Sequence, residues 1–250
     1  MLNIRDLSFT SDGETVLDSI SFTVREGETL AVIGAASAGK SALLSAVAGK
    51  MRVTGSVLDH NGAKPPHGDF LLFPQEGYIR EEESVYQTVL SGRAPHRRFL
   101  MPYSPLDIQT AEEMIDVFGL SSLQRKSLSS LSDAQYKMTL LAHAAAFGSP
   151  FFLLDNPEEG LDIASRRKLV RALRKFLFDG KRCVIIATND LNFASQCADS
   201  FLVLKNGRVA ASGAHEILTE KMIQDVFGCD GVVSKNVYNG RPEIQFVPET

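Results

Sequence analysis

Residues 29–41 read Thr29, Leu30, Ala31, Val32, Ile33, Gly34, Ala35, Ala36, Ser37, Ala38, Gly39, Lys40, Ser41. An apolar run that ends at glycine suits a central strand buried on both faces. The eight residues from Gly34 satisfy G-x-x-x-x-G-K-S/T, and Lys40 to Ala48 read as a helix with Leu43, Leu44 and Val47 on one side. Strand, glycine-rich loop and helix in this order make a phosphate cradle. Successive backbone N–H groups wrap the phosphates, and the helix N-terminus favours negative charge. Lys40 reaches the β- and γ-phosphates, and the Ser41 hydroxyl takes Mg²⁺. A second part lies downstream: Phe151, Phe152, Leu153 and Leu154 form an apolar strand that ends in the carboxylate of Asp155, placed to hold the metal shell opposite Ser41.

Around these parts the chain alternates strand and helix. Strands are expected at Leu2 to Phe9, Ile20 to Val24, Thr29 to Ile33 and Phe70 to Phe73, with a turn at Ser11 to Gly13 and a loop over 60–69. A helical stretch follows, in which Ile108, Ala111, Met114, Ile115 and Phe118 recur at helical spacing, with Thr110 and Glu113 read as a capping box. A second helix runs from about Ser132 to Phe147. From Pro150 the pattern returns to strand 151–154, helix 164–178, strand 183–187, helix 191–197, and strands 201–204 and 209–211. That alternation argues for an α/β fold with a largely parallel sheet.

The composition narrows the function classes. The 250 residues are 44% hydrophobic and 22% charged, enough for a buried core. With 26 Lys and Arg against 30 Asp and Glu, the net charge of −4 gives no basic excess, so nucleic acid is not expected as a partner. Cys183, Cys197 and Cys229 lie far apart and read as small buried thiols in a reducing compartment. No leader and no membrane span is expected from the apolar runs. His60, His67, His96, His143 and His215 have no metal-ligand spacing. The acidic run Glu81, Glu82 and Glu83 reads as a solvated helix start, and Arg97 and Arg98 as solvated charges.

Taken in order, these motifs resemble the ATP-binding subunit of an ABC transporter over essentially the whole chain. Gln75 stands at the place of the Q-loop. Leu131, Ser132, Asp133, Ala134 and Gln135 stand at the LSGGQ signature, and Asp155 to Asp162 at the Walker B and D-loop. Thr188, Asn189 and Asp190 stand at the switch-histidine segment, and Leu204 to Arg208 with Gly213 at the closing strands. Gly92 to His96, and the tail Val226, Phe227, Gly228 with Gly240, Arg241, Pro242, look like the iron-chelate, haem and cobalamin importers.

The resemblance implies a P-loop NTPase (RecA-like) core with an N-terminal antiparallel β subdomain and an inserted helical subdomain. It implies a nucleotide-binding domain over 1–220, the helical part spanning about 80–147, and a C-terminal tail over 221–250 packed on the core. ATP would sit on Gly34, Ala35, Ala36, Ser37, Ala38, Gly39, Lys40, Ser41 and Ala42 of one subunit and face Ser132 and Gln135 of a second ABC subunit, identical or not. Mg²⁺ would be held by Ser41, Gln75 and Asp155. Closure of the dimer would drive an integral-membrane permease through the groove near Gln75, which places the chain in the cytoplasm, peripheral to the membrane.

Departures fall on the residues that do chemistry. Where hydrolysing members have a glutamate after the Walker B aspartate, this chain has Asn156, and the switch histidine is Asn189. Amides hydrogen-bond but have no acid–base capability. Asp133 replaces a signature glycine, where it would cap its helix and bring negative charge to the docking phosphate. Ser11 cannot stack on adenine, which leaves Phe9 as the candidate aromatic. Glu158 and Glu159 read as solvated D-loop charges, and Asp162 as a dimer-orienting residue. Two readings of different class result. One is an importer subunit that binds MgATP with weak or partner-dependent hydrolysis. The other is a catalytically inactive regulatory or scaffold module of the same fold.

Overall fold

In the computed structural model the described residues are 1–74, 82–96, 101–177 and 180–247. Gln75, Glu81, Arg97, Arg98 and Phe178 lie outside them. In chain order the elements are β1 (Leu2–Ser11), β2 (Glu14–Val24), β3 (Thr29–Ile33), α1 (Lys40–Val47), β4 (Thr54–Asp59), β5 (Phe70–Phe73), α2 (Val85–Ser91), α3 (Pro105–Val117) and α4 (Asp133–Phe147). There follow β6 (Phe151–Asp155), α5 (Ile163–Phe176), β7 (Cys183–Thr188), α6 (Leu191–Cys197), β8 (Ser200–Lys205), β9 (Arg208–Gly213), α7 (Glu220–Phe227), β10 (Gly231–Lys235) and β11 (Pro242–Phe246).

The central sheet has strand order β5-β6-β7-β3-β8-β9, parallel except for the β8–β9 pair. A separate antiparallel sheet, β2-β1-β4, forms the N-terminal layer. Side chains alternate across the central strands with period two. Phe152 and Leu154 of β6, with Val184 and Ile186 of β7, join a cluster with Val89, Met114, Ile115 and Leu141 of the helical segment. Phe151, Leu153, Cys183 and Ile185 face the other way, onto Leu43, Leu44 and Val47 of α1 and onto Leu2, Ile4 and Leu17. The inserted helices and the N-terminal layer therefore grip opposite faces of one sheet. Each fully buried Leu, Ile or Phe contributes about 1.5–3 kcal/mol.

Several expectations need correction. The capping box of α3 is Ser104 with Asp107, one turn and a half earlier than read, while Thr110 lies inside the helix and donates its hydroxyl to Leu106 O at 2.8 Å. Pro105 at the first helical position fixes the start there. The strand β4 went unread because it is an edge strand of the N-terminal sheet with no fully buried residue. Residues 220–246 fold as α7 and the hairpin β10–β11. Met222, Ile223, Val226 and Ile244 pack there with Leu191 and Ala194 of α6 and Ala31 and Ile33 of β3. Phe9 is a partly buried side chain packed on the core around Leu17.

Two features hold the helical segment together. A Cβ on Gly92 would lie 2.3 Å from His143 O, so the end of α2 meets the backbone of α4 where only glycine fits. Next to it, the largely covered side chain of Arg93 donates to Asp107 Oδ1 at 3.0 Å and to Ala146 O at 2.8 Å, which ties the end of α2 to α3 and α4. The Ser104 hydroxyl and then Arg93 hold the Asp107 carboxyl below its usual range.

Candidate functional site

The topology brings the sequence motifs to one edge of the sheet. Strand β3 pairs in parallel with β7, Ile33 opposite Thr188, and β7 pairs in parallel with β6, Ala187 opposite Asp155. The loop after Ile33, the carboxylate of Asp155 and the segment Thr188–Asp190 thus leave neighbouring strands at their C-terminal ends, where open α/β sheets bind ligands.

The loop is shaped by its glycines. Gly34 has no room for a side chain, because a Cβ would stand 2.3 Å from Leu204 O, and Gly39 adopts φ +100°. Gly39 is also the N-cap of α1, and no side chain caps that helix and no acidic residue lies in its first turn. The first helical bond runs from Leu43 N–H to Gly39 O at 2.8 Å. The amides of Lys40, Ser41 and Ala42 precede it and have no intrahelical acceptor, which is the arrangement that receives an anion. Lys40 is buried, and its Nζ donates to Gly34 O at 2.9 Å and Ala35 O at 2.8 Å. Burial lowers its pKa, and the carboxylate of Asp155 works against that shift. The donors near this cradle are hydroxyl and carboxylate oxygens, Ser41 and Asp155, a hard set that suits Mg²⁺.

Asn156 sits in the left-handed region at φ 45°, which asparagine tolerates better than most residues. Its backbone N–H donates to Ala187 O at 2.9 Å and its side-chain amide donates to Asp155 Oδ1 at 3.2 Å. Asn189 is exposed, one residue past the end of β7. Both asparagines line one cavity of about 380 Å³ with Glu158, Glu159, Arg166 and Asp190. The two amide replacements, 33 residues apart in sequence, therefore share a single space. Asp190 caps α6 by accepting from Phe193 N–H at 2.9 Å and pairs with Arg166 at 2.6 Å.

At the signature the structure changes one reading. The N-cap of α4 is Ser132, which accepts from Gln135 N–H at 3.3 Å, while the Gln135 side chain accepts from Ser132 N–H at 3.1 Å. Asp133 is the first residue inside the helix and caps nothing; it stands exposed in the first turn. Ser132 and Gln135 are held by each other and do not line the cavity of Asn156 and Asn189. One turn on, Lys137 donates to Asn156 O at 3.2 Å and to Glu159 O at 2.5 Å, bracing the D-loop against α4. Asp162 is the N-cap of α5, accepting from Ser165 N–H at 2.6 Å. Gln75 lies outside the described residues.

Glu158 corrects the sequence reading most. Glu159 is solvated, but Glu158 is only 5% exposed. The Thr188 hydroxyl donates to its Oε1, and its Oε2 is buried without a hydrogen-bond partner among the described residues. Burial raises its pKa, and Asp190 adds to that while Thr188 and Arg166 oppose it. Nothing in the local sequence signals this, since the partner comes from the neighbouring strand. Among the described residues no cluster of His, Cys, Asp or Glu could hold a metal by itself, and no helix is long and apolar enough to cross a membrane. His143 is a structural residue, its Nδ1 2.7 Å from Thr88 O.

Comparison with known proteins gives a consistent result. The family model described as ABC transporter matches residues 17–159. The chain is 30% identical over 257 residues to the hemin import ATP-binding protein HmuV of Gloeobacter violaceus, covering 97% of this chain and 92% of that one. It is 27% identical to the cobalamin import ATP-binding protein BtuD of Halobacterium salinarum, covering 99% of this chain and 64% of that longer relative. Among solved structures it is similar to a metal-chelate type ABC transporter in an inward-facing conformation, with TM-score 0.82, 25% identity, and 100% and 97% of the two chains covered.

Proposed function

This chain belongs to the ABC transporter family, and from that premise we propose that it is the ATP-binding subunit of an importer for an iron chelate, haem or cobalamin. It binds MgATP between two ABC subunits and couples to an integral-membrane permease. The backbone of residues 34–42 and the Lys40 ammonium take the phosphates, and Ser41, Asp155 and Gln75 take Mg²⁺. The bound metal supplies charge neutralisation on the β- and γ-phosphates. Ser132 and Gln135 face the nucleotide of the partner subunit.

The observation that carries this reading is the uncapped N-terminus of α1 beside buried Lys40, at the sheet edge where Asp155 ends β6. The cavity lined by Asn156 and Asn189 supports weak or partner-dependent hydrolysis, because neither amide accepts a proton from the attacking water.

The test is MgATP affinity and turnover of the full chain, wild type against Asn156→Glu. The expected result is MgATP binding with slow turnover, raised about a hundredfold or more by the substitution, the scale of a restored general base. Wild-type turnover at a rate typical of transport ATPases, abolished by Lys40→Ala, would overturn the assignment of weak hydrolysis.

A further inference from the structure

Glu158 is 5% exposed and its Oε2 has no hydrogen-bond partner among the described residues, so its burial carries a cost that its remaining bonds must offset. Among the described residues the groups facing Glu158 come from four places: Thr188 at the end of β7 with Asp190 just after it, Arg166 of α5, Lys137 of α4 and Cys197 of α6. Both cations are engaged elsewhere. Arg166 donates to Asp190 at 2.6 Å and to Leu161 O at 3.1 Å, and Lys137 donates to the carbonyls of Asn156 and Glu159. The direct bond of Glu158 is to Thr188, whose hydroxyl oxygen also accepts from Asp190 N–H at 2.9 Å. Beside the backbone bond from Asn156 N–H to Ala187 O, a chain of side-chain bonds therefore runs from the segment after β6 into the segment after β7, and an asparagine lies beside it on each side. On the first segment that residue is Asn156, two positions before Glu158; on the second it is Asn189, one position after Thr188.

We propose that Glu158 is a positioning residue of the nucleotide site, locking through Thr188 the segment that carries Asn156 to the segment that carries Asn189, so that the two amides present a fixed pair of hydrogen-bonding groups to the terminal phosphate. This rests on the reading of the cavity as the γ-phosphate end of an ATP site. The lock itself is a property of the free chain. In this assignment Glu158 acts through Thr188 on the two segments.

The experiment uses the full chain with Glu158→Gln, which keeps size and the acceptor for Thr188, Glu158→Leu, which removes it, and Thr188→Val, which deletes that bond from the other end together with the acceptor of Asp190 N–H. Hydrogen exchange without nucleotide is read over 155–162 and 187–191. Leu and Val variants are expected to raise exchange in both segments about fivefold, the scale of one net hydrogen bond, and Gln in neither. The ratio of ATP to ADP affinity is then measured. It falls about fivefold in the Leu and Val variants and is rescued in the Gln variant, while MgADP affinity stays within about twofold. Loosening confined to 155–162, or an unchanged ATP-to-ADP ratio, overturns the proposal. If the Leu variant does not fold, the Val variant carries the same comparison. Failure of the chain to bind either nucleotide, with exchange still coupled between the two segments, counts against the ATP-site reading and leaves the lock standing.

Discussion

The hydroxyl of Thr188, the last residue of β7, donates to the carboxyl of Glu158, which follows the neighbouring strand β6. That acid is buried, and its pKa is raised from 4.5 chiefly by burial. A carboxyl with a raised folded pKa contributes stability that is complete below its unfolded pKa and is lost as pH rises through the folded value. Glu158→Gln has no such loss. Its stability relative to wild type is therefore expected to improve as pH rises above about 4.5 and to level off once Glu158 is fully ionised, measured as urea unfolding free energy at a series of pH values. Parallel pH profiles for the two proteins would refute this.

Lys40 is the one buried cation of the phosphate loop, and its Nζ bonds only to two loop carbonyls, Gly34 O and Ala35 O, among the described residues. Lys40→Ala is expected to weaken MgATP binding by about tenfold to a hundredfold, the range for losing a charge-assisted hydrogen bond of ~1.5–3 kcal/mol. Titration with a fluorescent ATP analogue reads this directly, with the circular dichroism spectrum unchanged. Undiminished affinity would mean that the nucleotide binds elsewhere.

Gly92, the C-cap of α2, lies tightly against α4, with a Cβ position 2.3 Å from His143 O. Gly92→Ala is expected to force the helices apart and to cost about 1–3 kcal/mol, the usual penalty of overpacking. Gly68→Ala is the control, since nothing lies within 4 Å of its Cβ position. It should change stability by less than ~0.5 kcal/mol. Equal effects at the two glycines in denaturant unfolding would contradict the packing argument.

Arg93 and Asp107 form a buried pair with side-chain exposures of 11% and 6%. Arg93→Met leaves the carboxylate without its cation and Ala146 O without its donor, and should cost about 3 kcal/mol. Because the Asp107 pKa is lowered from 3.8, the stability it contributes is present above that pH and lost as pH falls through the folded value. Asp107→Asn should therefore show a shallower acid limb than wild type. Identical acid limbs would argue that the pair contributes nothing to the folded state.

Much of this was legible in the chain. Gly34 to Ser41 after a solid apolar run identified a phosphate loop, because the constraints there are local: glycine for tight backbone, a strand before, a helix after. The apolar runs at 151–154, 183–187 and 201–204 read correctly because strands buried on both faces need no alternation. The helix start at Ser104 was misread since both Ser104 with Asp107 and Thr110 with Glu113 fit the capping spacing, and Pro105 decided between them. The half-exposed β4 has no full apolar face and left little trace.

Short motifs along the chain carry the family, the strand–loop–helix cradle with Lys40 and Ser41, and the presence of Asn156 and Asn189 where the family places acid–base groups. Each of these is carried by a short contiguous segment whose chemistry does not depend on distant neighbours. It takes the packed fold to bring Asn156 and Asn189 to one cavity, to leave Asp133 without a capping role, and to bury Glu158 while Glu159 stays exposed. Those outcomes turn on which strand lies beside which. Burial, and with it the protonation of a carboxyl, is set by partners that the parallel order β6-β7-β3 brings in from about 30 residues away in sequence or farther.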